Sequence, residues 1–374
     1  MQFKFAGYAI AAYAVCSGVA YAQSSVAIYG IVSTGVAYVS GGTHSVNMLT
    51  GTMQNNRLGF KIVEDLGGGL RAVGTLENGF DVTDGTAMQG SRLFGRQAFI
   101  GLSSAQYGTF TLGRQYDMVW DYLDRFEASA ASNGLATHVG DNDNGFATFR
   151  YNNSVKYASP DWNGFTAEAL YAFSNEAGDF SANNAFSLGA GYARGPVQVG
   201  LAYVELHRPG TGVNPNGAVT NDYGGAPFMP FERSPLADAA GVDTQRITGI
   251  GGSYDFGQTR LNAMISDVRY SYLDGSSLHL DNYDVSLTYN LTPALVLGAA
   301  YVYTKGSYGG GTGGDPKWQM AQLSVDYFLS KRTDIYLYGV AQRALGGAAA
   351  DIWLIEPSQT NTQQLVLAGI RHKF

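Results

Sequence analysis

The feature that most constrains this chain is a two-residue alternation of apolar with small or polar side chains that recurs from Val26 to Phe374. In VQVGLAYV, Val197, Val199, Leu201 and Tyr203 alternate with Gln198, Gly200 and Ala202. In NYDVSLTYNL, Tyr283, Val285, Leu287 and Tyr289 alternate with Asp284, Ser286, Thr288 and Asn290, and in AQLSVDYF, Leu323, Val325 and Tyr327 alternate with Gln322, Ser324 and Asp326. FRYNNSVKYAS sets Phe149, Tyr151, Val155 and Tyr157 against Arg150, Asn152, Ser154 and Lys156. Successive side chains of a strand point to opposite faces, so each segment has one apolar face and one wet face. The segments run about 9 to 12 residues, the length a tilted strand needs to cross hydrocarbon.

Tight connections (64–69, 159–164, 193–196, 255–259, 330–334) are interspersed with long polar ones (40–55, 207–244, 305–316, 344–362). Sixteen segments can be counted, starting with 25–39 and 56–65 and ending with 333–343 and 363–374. An even number is what a single-chain outer-membrane barrel requires. A membrane helix needs roughly 18 consecutive apolar residues, and the longest candidate in the mature chain, ALVLGAAYVY, has about half that. A membrane-spanning form of this chain is therefore a closed barrel, because only closure satisfies every backbone group of a sheet in hydrocarbon. The expected fold class is all-β, a transmembrane antiparallel β-barrel of 16 strands.

A secreted β-sandwich or β-solenoid would also be rich in strands. A sandwich turns its apolar faces inward and a solenoid shows a fixed repeat, which is not found here. Tyrosines near strand ends (Tyr29, Tyr38, Tyr157, Tyr171, Tyr203, Tyr289, Tyr303, Tyr327) fit interfacial girdles instead. The chain ends in Phe374, with Ile370, Ala368 and Val366 on the same parity.

At the N-terminus Lys4, the apolar run 5–15 and Ala20-Tyr21-Ala22 describe a secretory signal peptide, residues 1–22, leaving a barrel domain of 23–374. Cys16, the sole cysteine, goes with the leader, so no thiol or disulfide chemistry remains. A lipoprotein signal at Cys16 lacks the usual Leu and the small residue before the cysteine. The formal net charge of −7, or −8 without Lys4, argues against a nucleic-acid partner. Histidines 44, 138, 207, 279 and 372 are scattered, without HExxH or GxSxG patterns, so the chain is not read as an enzyme and no metal or cofactor is expected. GGGTGG at 309–314 lies between two strands and reads as a flexible loop. DNDNG at 141–145 resembles half a calcium loop without its downstream Glu and reads as a turn.

Charged residues on the wet parity are the candidate pore residues. Arg57 and Lys61 share that parity against Leu58, Phe60 and Ile62, as do Arg150 and Lys156 in their own segment. Glu77 and Arg71 share the wet parity of 69–80, where Glu77 would complement Arg71 or the other basic side chains. Arg96 lies in RQAFIGL, apolar on both parities, but an arginine facing lipid at mid-membrane costs about 2–4 kcal/mol, so inward is the cheaper direction. One stretch breaks the β pattern: in DYLDRFEA, Asp121 to Ala128, a helical period puts Asp117, Asp121 and Asp124 on one stripe, followed by Glu127, with Val119, Tyr122 and Phe126 opposite.

The stretches SSVAIYGIVSTGV, NRLGFKIVEDLGGGLRAVGTLENGF, RLFGRQAFIGLSSAQYGTFTLGRQYD, FRYNNSVKYASPDWNGF and GIRHKF closely resemble the general porins of Gram-negative β-proteobacteria, from Ser24 to Phe374. The resemblance implies a homotrimeric, water-filled channel of the cell outer membrane, surrounded by lipid, that passes small hydrophilic solutes and ions. It implies that the third external loop, about 116–147, folds into the lumen, which makes DYLDRFEA a helical turn with its acidic stripe toward water. Arg57, Arg96 and Arg150 match the basic wall cluster of the porin constriction, and the loop at 81–91 matches the latch between subunits. Ser33 stands where the family often has an acidic residue.

A basic wall facing an acidic loop orients polar solutes and separates ion paths; alternatively the arginines simply pair with Asp121 or Asp124 and hold the loop, with Arg114 as a tether at its base. The leading expectation is a general diffusion porin. A substrate-selective channel, using wall aromatics or the 207–244 loop, is the alternative, and an outer-membrane hydrolase would need a nucleophile or acid pair at the rim.

Overall fold

The computed structural model describes residues 24–374 except 133, 211–213, 221, 224–233, 235, 237–239 and 311–313, so the expected signal peptide lies outside the described residues. The strands are β1 (Ser25–Gly41), β2 (Thr43–Thr50), β3 (Arg57–Gly67), β4 (Leu70–Gly79), β5 (Gln97–Ser104), β6 (Gly108–Gln115), β7 (Tyr151–Ala158), β8 (Phe165–Ala172) and β9 (Asn184–Arg194). They continue with β10 (Val197–His207), β11 (Val242–Asp255), β12 (Thr259–Tyr272), β13 (Ser277–Thr292), β14 (Leu295–Gly309), β15 (Lys317–Phe328), β16 (Thr333–Leu345) and β17 (Thr362–Lys373).

All belong to one antiparallel sheet in which, from β3 onward, each strand pairs with the next in sequence, while β2 and β3 each pair with β1. Residues 31–40 of β1 pair with β17, while its other edge is shared, 34–41 with β2 and 25–31 with β3. Since β2 and β3 occupy one place on the circumference, 17 strands make a closed barrel of sixteen positions. Pairing of β1 with β17 closes the ring, which is the condition for placing a sheet in lipid.

The seam is finished by the last residue. Gly30 and Phe374 exchange both backbone hydrogen bonds at 3.1 Å, and the Phe374 ring fills the space where a Cβ on Gly30 would lie. The tight β3–β4 turn runs through Gly67, Gly68 and Gly69, all at positive φ, which only glycine adopts without strain.

Alternation separates two faces. Ile250, Leu323, Leu337 and Val366 are exposed on the outside, whereas Ile247, Gln322, Tyr338 and Leu365 on the opposite parity are buried inside. In hydrocarbon each outward aliphatic side chain gains about 1.5–3 kcal/mol relative to water.

Two places depart from the segmentation expected from sequence. The stretch 40–55, read as a polar connection, contains β2, whose Val46 and Met48 lie outside, and residues 51–56 then fold inward. There Asn56 Oδ1 accepts from Ser33 N at 2.6 Å and Thr52 O from Tyr338 Oη at 2.7 Å. The second departure is in β7. Phe149 and Tyr151 were expected to share the apolar outer face with Val155 and Tyr157, yet both are fully buried inside. Asn153 sits at φ 52° and the β6–β7 register shifts between Gly113 and Gln115, so a bulge inverts the parity halfway along the segment.

The interior is not uniformly wet. Inward residues of β10–β13, including Val204, Leu206, Ile247, Val268 and Leu280, are buried together with Met118, Leu123 and Phe126 of the 116–147 connection and Val219 and Tyr223 of the 207–244 connection. The barrel thus has a core on the face opposite the lipid-facing belt.

Candidate functional site

On the β3–β5 side of the barrel a charged cluster is built around Glu77. Its carboxylate accepts from Tyr29 Oη at 2.7 Å and from Arg96 Nε at 2.8 Å. Of the two complements expected for Glu77, the structure pairs it with Arg96; Arg71 sits opposite Asp65 at the exposed end of the same hairpin. Arg96 precedes β5 and is held by its own N–H on Glu77 O at 3.1 Å, which places the side chain inside although RQAFIGL gives no parity signal. Arg57 opens β3 on the inward parity, with Nε donating to Asn55 O at 3.0 Å, and Lys61 lies 5.2 Å from the Tyr29 ring centre.

Tyr116 joins this cluster to Arg150. The Arg96 and Arg150 guanidinium carbons lie 5.8 and 5.2 Å from its ring centre, and Trp120 stacks on it at 4.7 Å. Arg96 Nη2 and Arg150 Nε are buried with no acceptor among the described residues. A tyrosine face can stabilise neighbouring guanidinium charges without neutralising them, so the cluster keeps its positive potential.

The 116–147 connection packs against the face of β9–β14 opposite the outer belt. Its helical turn Met118–Tyr122 is short, capped at its start by Asp117, which accepts from Trp120 N at 3.1 Å. A 3-10 turn, Asp124–Phe126, follows. This break corrects the single acidic stripe expected from spacing, because i, i+4, i+7 presumes one unbroken helix. Asp117 is buried, with Asn144 Nδ2 donating to it at 2.8 Å. Glu127 is also buried, accepting from Thr137 Oγ1 and from His138 N. Asp121 pairs with Lys156 of β7, which also reaches Glu168 of β8 at 3.3 Å. Asp124 is half-buried; burial raises its carboxyl to about 7, with Arg57, Arg125 and Arg96 pulling the other way.

The wall is shaped for this segment by absent side chains. Cβ atoms on Gly189 and Gly191 of β9 would stand 2.5 and 2.8 Å from the Tyr122 ring, one on Gly249 2.5 Å from Leu123, and one on Gly251 2.6 Å from Phe126. Farther along, Gln322 of β15 accepts from Leu135 N and Ala136 N at 2.9 and 3.0 Å and donates to Ser132 Oγ at 2.8 Å. His138 is buried among acids, with Nδ1 2.8 Å from Asp143 and Nε2 3.2 Å from Asp284 of β13.

Part of the 207–244 connection also descends. Asn152 N donates to Ala218 O at 2.7 Å, and Asn183 Nδ2 donates to Val219 O at 2.7 Å. These contacts bring Asp222 to Arg114 Nη2 and to Arg150 N, with Arg92 3.9 Å away. Arg114 also donates to Gly95 O at 2.8 Å, so it links the connection before β5 to the 207–244 connection.

Possible ligand-holding groups are occupied by the protein itself. Asp141 accepts from Phe146 N and Thr148 N, and Asp143 from His138 and Ser266, which makes DNDNG a closed turn. Asp267, His279 and Asp281 converge at the outer end of β12–β13, where Arg269 and Lys305 already pair with the two carboxylates.

Tyr116, His138, Glu168, Asp222 and Gln322 were not singled out from sequence. Glu168 and Gln322 had a signal in their inward parity; Asp222 lies in a long connection without periodicity.

Residues 9–344 match the model of a Gram-negative porin family. The chain is 30% identical to an outer membrane porin of Bordetella pertussis, with 96% of each chain covered. It superimposes on an anion-selective porin from Comamonas acidovorans with a TM-score of 0.76 at 22% identity, covering 94% of this chain and 100% of the other. The trimer form of the Vibrio cholerae outer membrane protein OmpT gives 0.69 at 16% identity, over 94% and 99%.

Proposed function

This chain belongs to the Gram-negative porin family and is an outer-membrane β-barrel channel, and from that premise we propose that it is a general diffusion porin whose pore is narrowed between the arginine cluster and the 116–147 segment. The observation that carries the reading is the geometry around Tyr116, whose ring Arg96 and Arg150 flank at 5.8 and 5.2 Å, with the charges of Arg57 and Arg96 acting on Asp124 of the 116–147 segment. Opposite charges facing each other across a narrow aqueous gap, with a low-dielectric wall behind them, orient dipolar solutes and draw ions along separate sides. Transport is passive, with no catalytic step, and the functional unit is a homotrimer.

A second reading, a channel selective for one class of solute, is favoured by the descending 214–223 segment, which adds Val219, Tyr223 and Asp222 to the lumenal side. Planar-bilayer recordings with solute gradients separate the two. Flux linear in solute concentration supports the general porin; saturation at low concentration of one solute supports the selective channel.

A further inference from the structure

We propose that a hollow on the lumenal wall of β3–β7, on the tight-turn side of the Glu77 cluster, is a subsite for small aromatic monocarboxylates, which rest their ring on Phe99 and turn their carboxylate to Lys61. The inference rests on the reading of the barrel as an open channel and is independent of the charges at the constriction.

Register places the hollow. Lys61 is opposite Thr75, Thr75 is opposite Phe99, and Val63 is opposite Val73, so these side chains share one face across β3, β4 and β5. The face is the inner one, because Glu77, on the same parity of β4 as Thr75 and Val73, is buried in the charged cluster. One inward step, roughly 7 Å along β4, separates Thr75 from Glu77. Together with Gln97 these residues line a space of about 400 Å³.

Its apolar part has no cover. Elsewhere inside the barrel, inward apolar residues of β10–β13 are buried together with Met118, Leu123 and Phe126 of the 116–147 segment. Phe99, Val63 and Val73 instead remain half-buried at the edge of the lumen. Apolar surface left facing water on a channel wall favours a solute that has an apolar face of its own. A planar ring answers the Phe99 ring, since paired aromatic rings contribute beyond their buried area.

The polar part fixes the charge. Lys61 is exposed, lies 5.2 Å from the Tyr29 ring centre, and forms no ion pair with a carboxylate among the described residues. Glu77 is committed to Tyr29 at 2.7 Å and to Arg96 at 2.8 Å, and Lys156, at the far side of the hollow, is taken by Asp121 and Glu168. One ammonium is left, which balances one negative charge, while Thr75 and Gln97 offer donors for the second carboxylate oxygen. Two strand spacings, about 10 Å, part Lys61 from Phe99, so an aryl carboxylate meets both with its two ends. Occupancy is brief, because conduction requires a site weak enough to leave.

The test uses planar-bilayer recordings of the full-length folded protein in KCl, with sodium benzoate, sodium acetate and phenol as probes. Benzoate should produce saturable current noise at concentrations about tenfold below those that acetate needs, the size of one aromatic contact, and phenol should produce none. Phe99→Leu, which keeps bulk and loses the ring, should lower the affinity for benzoate to that for acetate and leave the acetate response alone. Lys61→Gln should weaken benzoate about tenfold, as expected for one charge-assisted hydrogen bond, and Lys61→Arg should retain it. Heat-modifiable migration in SDS checks that each variant is folded. Equal noise from benzoate and acetate, an unchanged benzoate response in Phe99→Leu or in Lys61→Gln, or a phenol response as large as that of benzoate would each overturn the subsite. Absence of ion current from the wild type would instead overturn the channel reading beneath it.

Discussion

Asp222 accepts a hydrogen bond from Arg114 Nη2, joining a long external connection to the wall beside the pore cluster. The same carboxylate receives Arg150 N at 3.3 Å, so one acid from a segment without β periodicity meets two elements that bear the basic cluster. Removing its charge while keeping its shape isolates the electrostatic part. In Asp222→Asn the local potential becomes more positive, and the anion-to-cation permeability ratio should rise roughly two- to threefold at low salt, shrinking toward wild type above about 1 M as screening shortens. Reversal potentials in a KCl gradient read this directly; an unchanged ratio would show that Asp222 lies off the ion path.

The arginine cluster makes a graded prediction. Arg57→Ser and Arg150→Ser should each shift the reversal potential toward cation preference, and so should Arg96→Ser, but the last carries a structural cost. It leaves Glu77 buried with Tyr29 as its remaining hydrogen-bond partner, which costs about 3–5 kcal/mol when one member of a buried pair is removed. Heat-modifiability in SDS should therefore fall for Arg96→Ser, and Glu77→Gln in the same chain should restore much of it. Equal thermal stability of the three single variants would contradict the pairing.

Much of this site was legible in the sequence because strands report orientation residue by residue. Arg57 and Lys61 could be set against Leu58 and Ile62, and Gln322 against Leu323, from parity alone. Parity fails where a strand stops being regular: the bulge at Asn153 turns Tyr151 inward against the rule that placed it beside Tyr157. It also fails where helical spacing is assumed across a broken helix. Asp117 caps the turn and Glu127 is buried under Thr137 and His138, so of the acidic group Asp124 is left to feel the charges of Arg57, Arg125 and Arg96 while Asp121 pairs with Lys156. Asp222 had no local signal, because its position depends on Asn183 and Asn152, more than thirty residues away. The glycines at 189, 191, 249 and 251 were a signal in plain view: small residues on the parity opposite the outer belt mark where another segment, with Tyr122, Leu123 and Phe126, lies close.

Filling that space is the steric counterpart of the charge variants. A Cβ on Gly251 would meet the Phe126 ring at 2.6 Å, and a rigid ring cannot yield as a flexible chain end would. Gly251→Val should cost about 1–3 kcal/mol of docking for the 116–147 segment while leaving the outer face of β11 unchanged. Liposome swelling with a graded sugar series should show a larger size cutoff than wild type. An unchanged cutoff would mean that the segment does not limit solute size.

The last prediction concerns pH. His138 is buried with Glu127, Asp143 and Asp284 facing it, Asp141 close by, and Ser266 bonded to the same Asp143. Burial opposes its charge, but Asp143 and Asp284 outweigh that and hold the imidazole well above its usual range. A histidine whose folded value is raised contributes stability that is fully present below its unfolded value near 6.5 and is lost as pH rises through the folded value. Anchoring of the 116–147 segment to β13 should therefore hold through neutral pH and weaken in the alkaline range, because a neutral imidazole leaves several buried carboxylates without their cation. Single-channel current noise should grow as pH is raised above neutrality, and swelling rates for larger sugars should rise with it. His138→Gln should show the noisy state already at neutral pH and little further change on alkalinisation. If the variant instead kept the wild-type pH profile, the transition would belong to another group and His138 would serve only as packing.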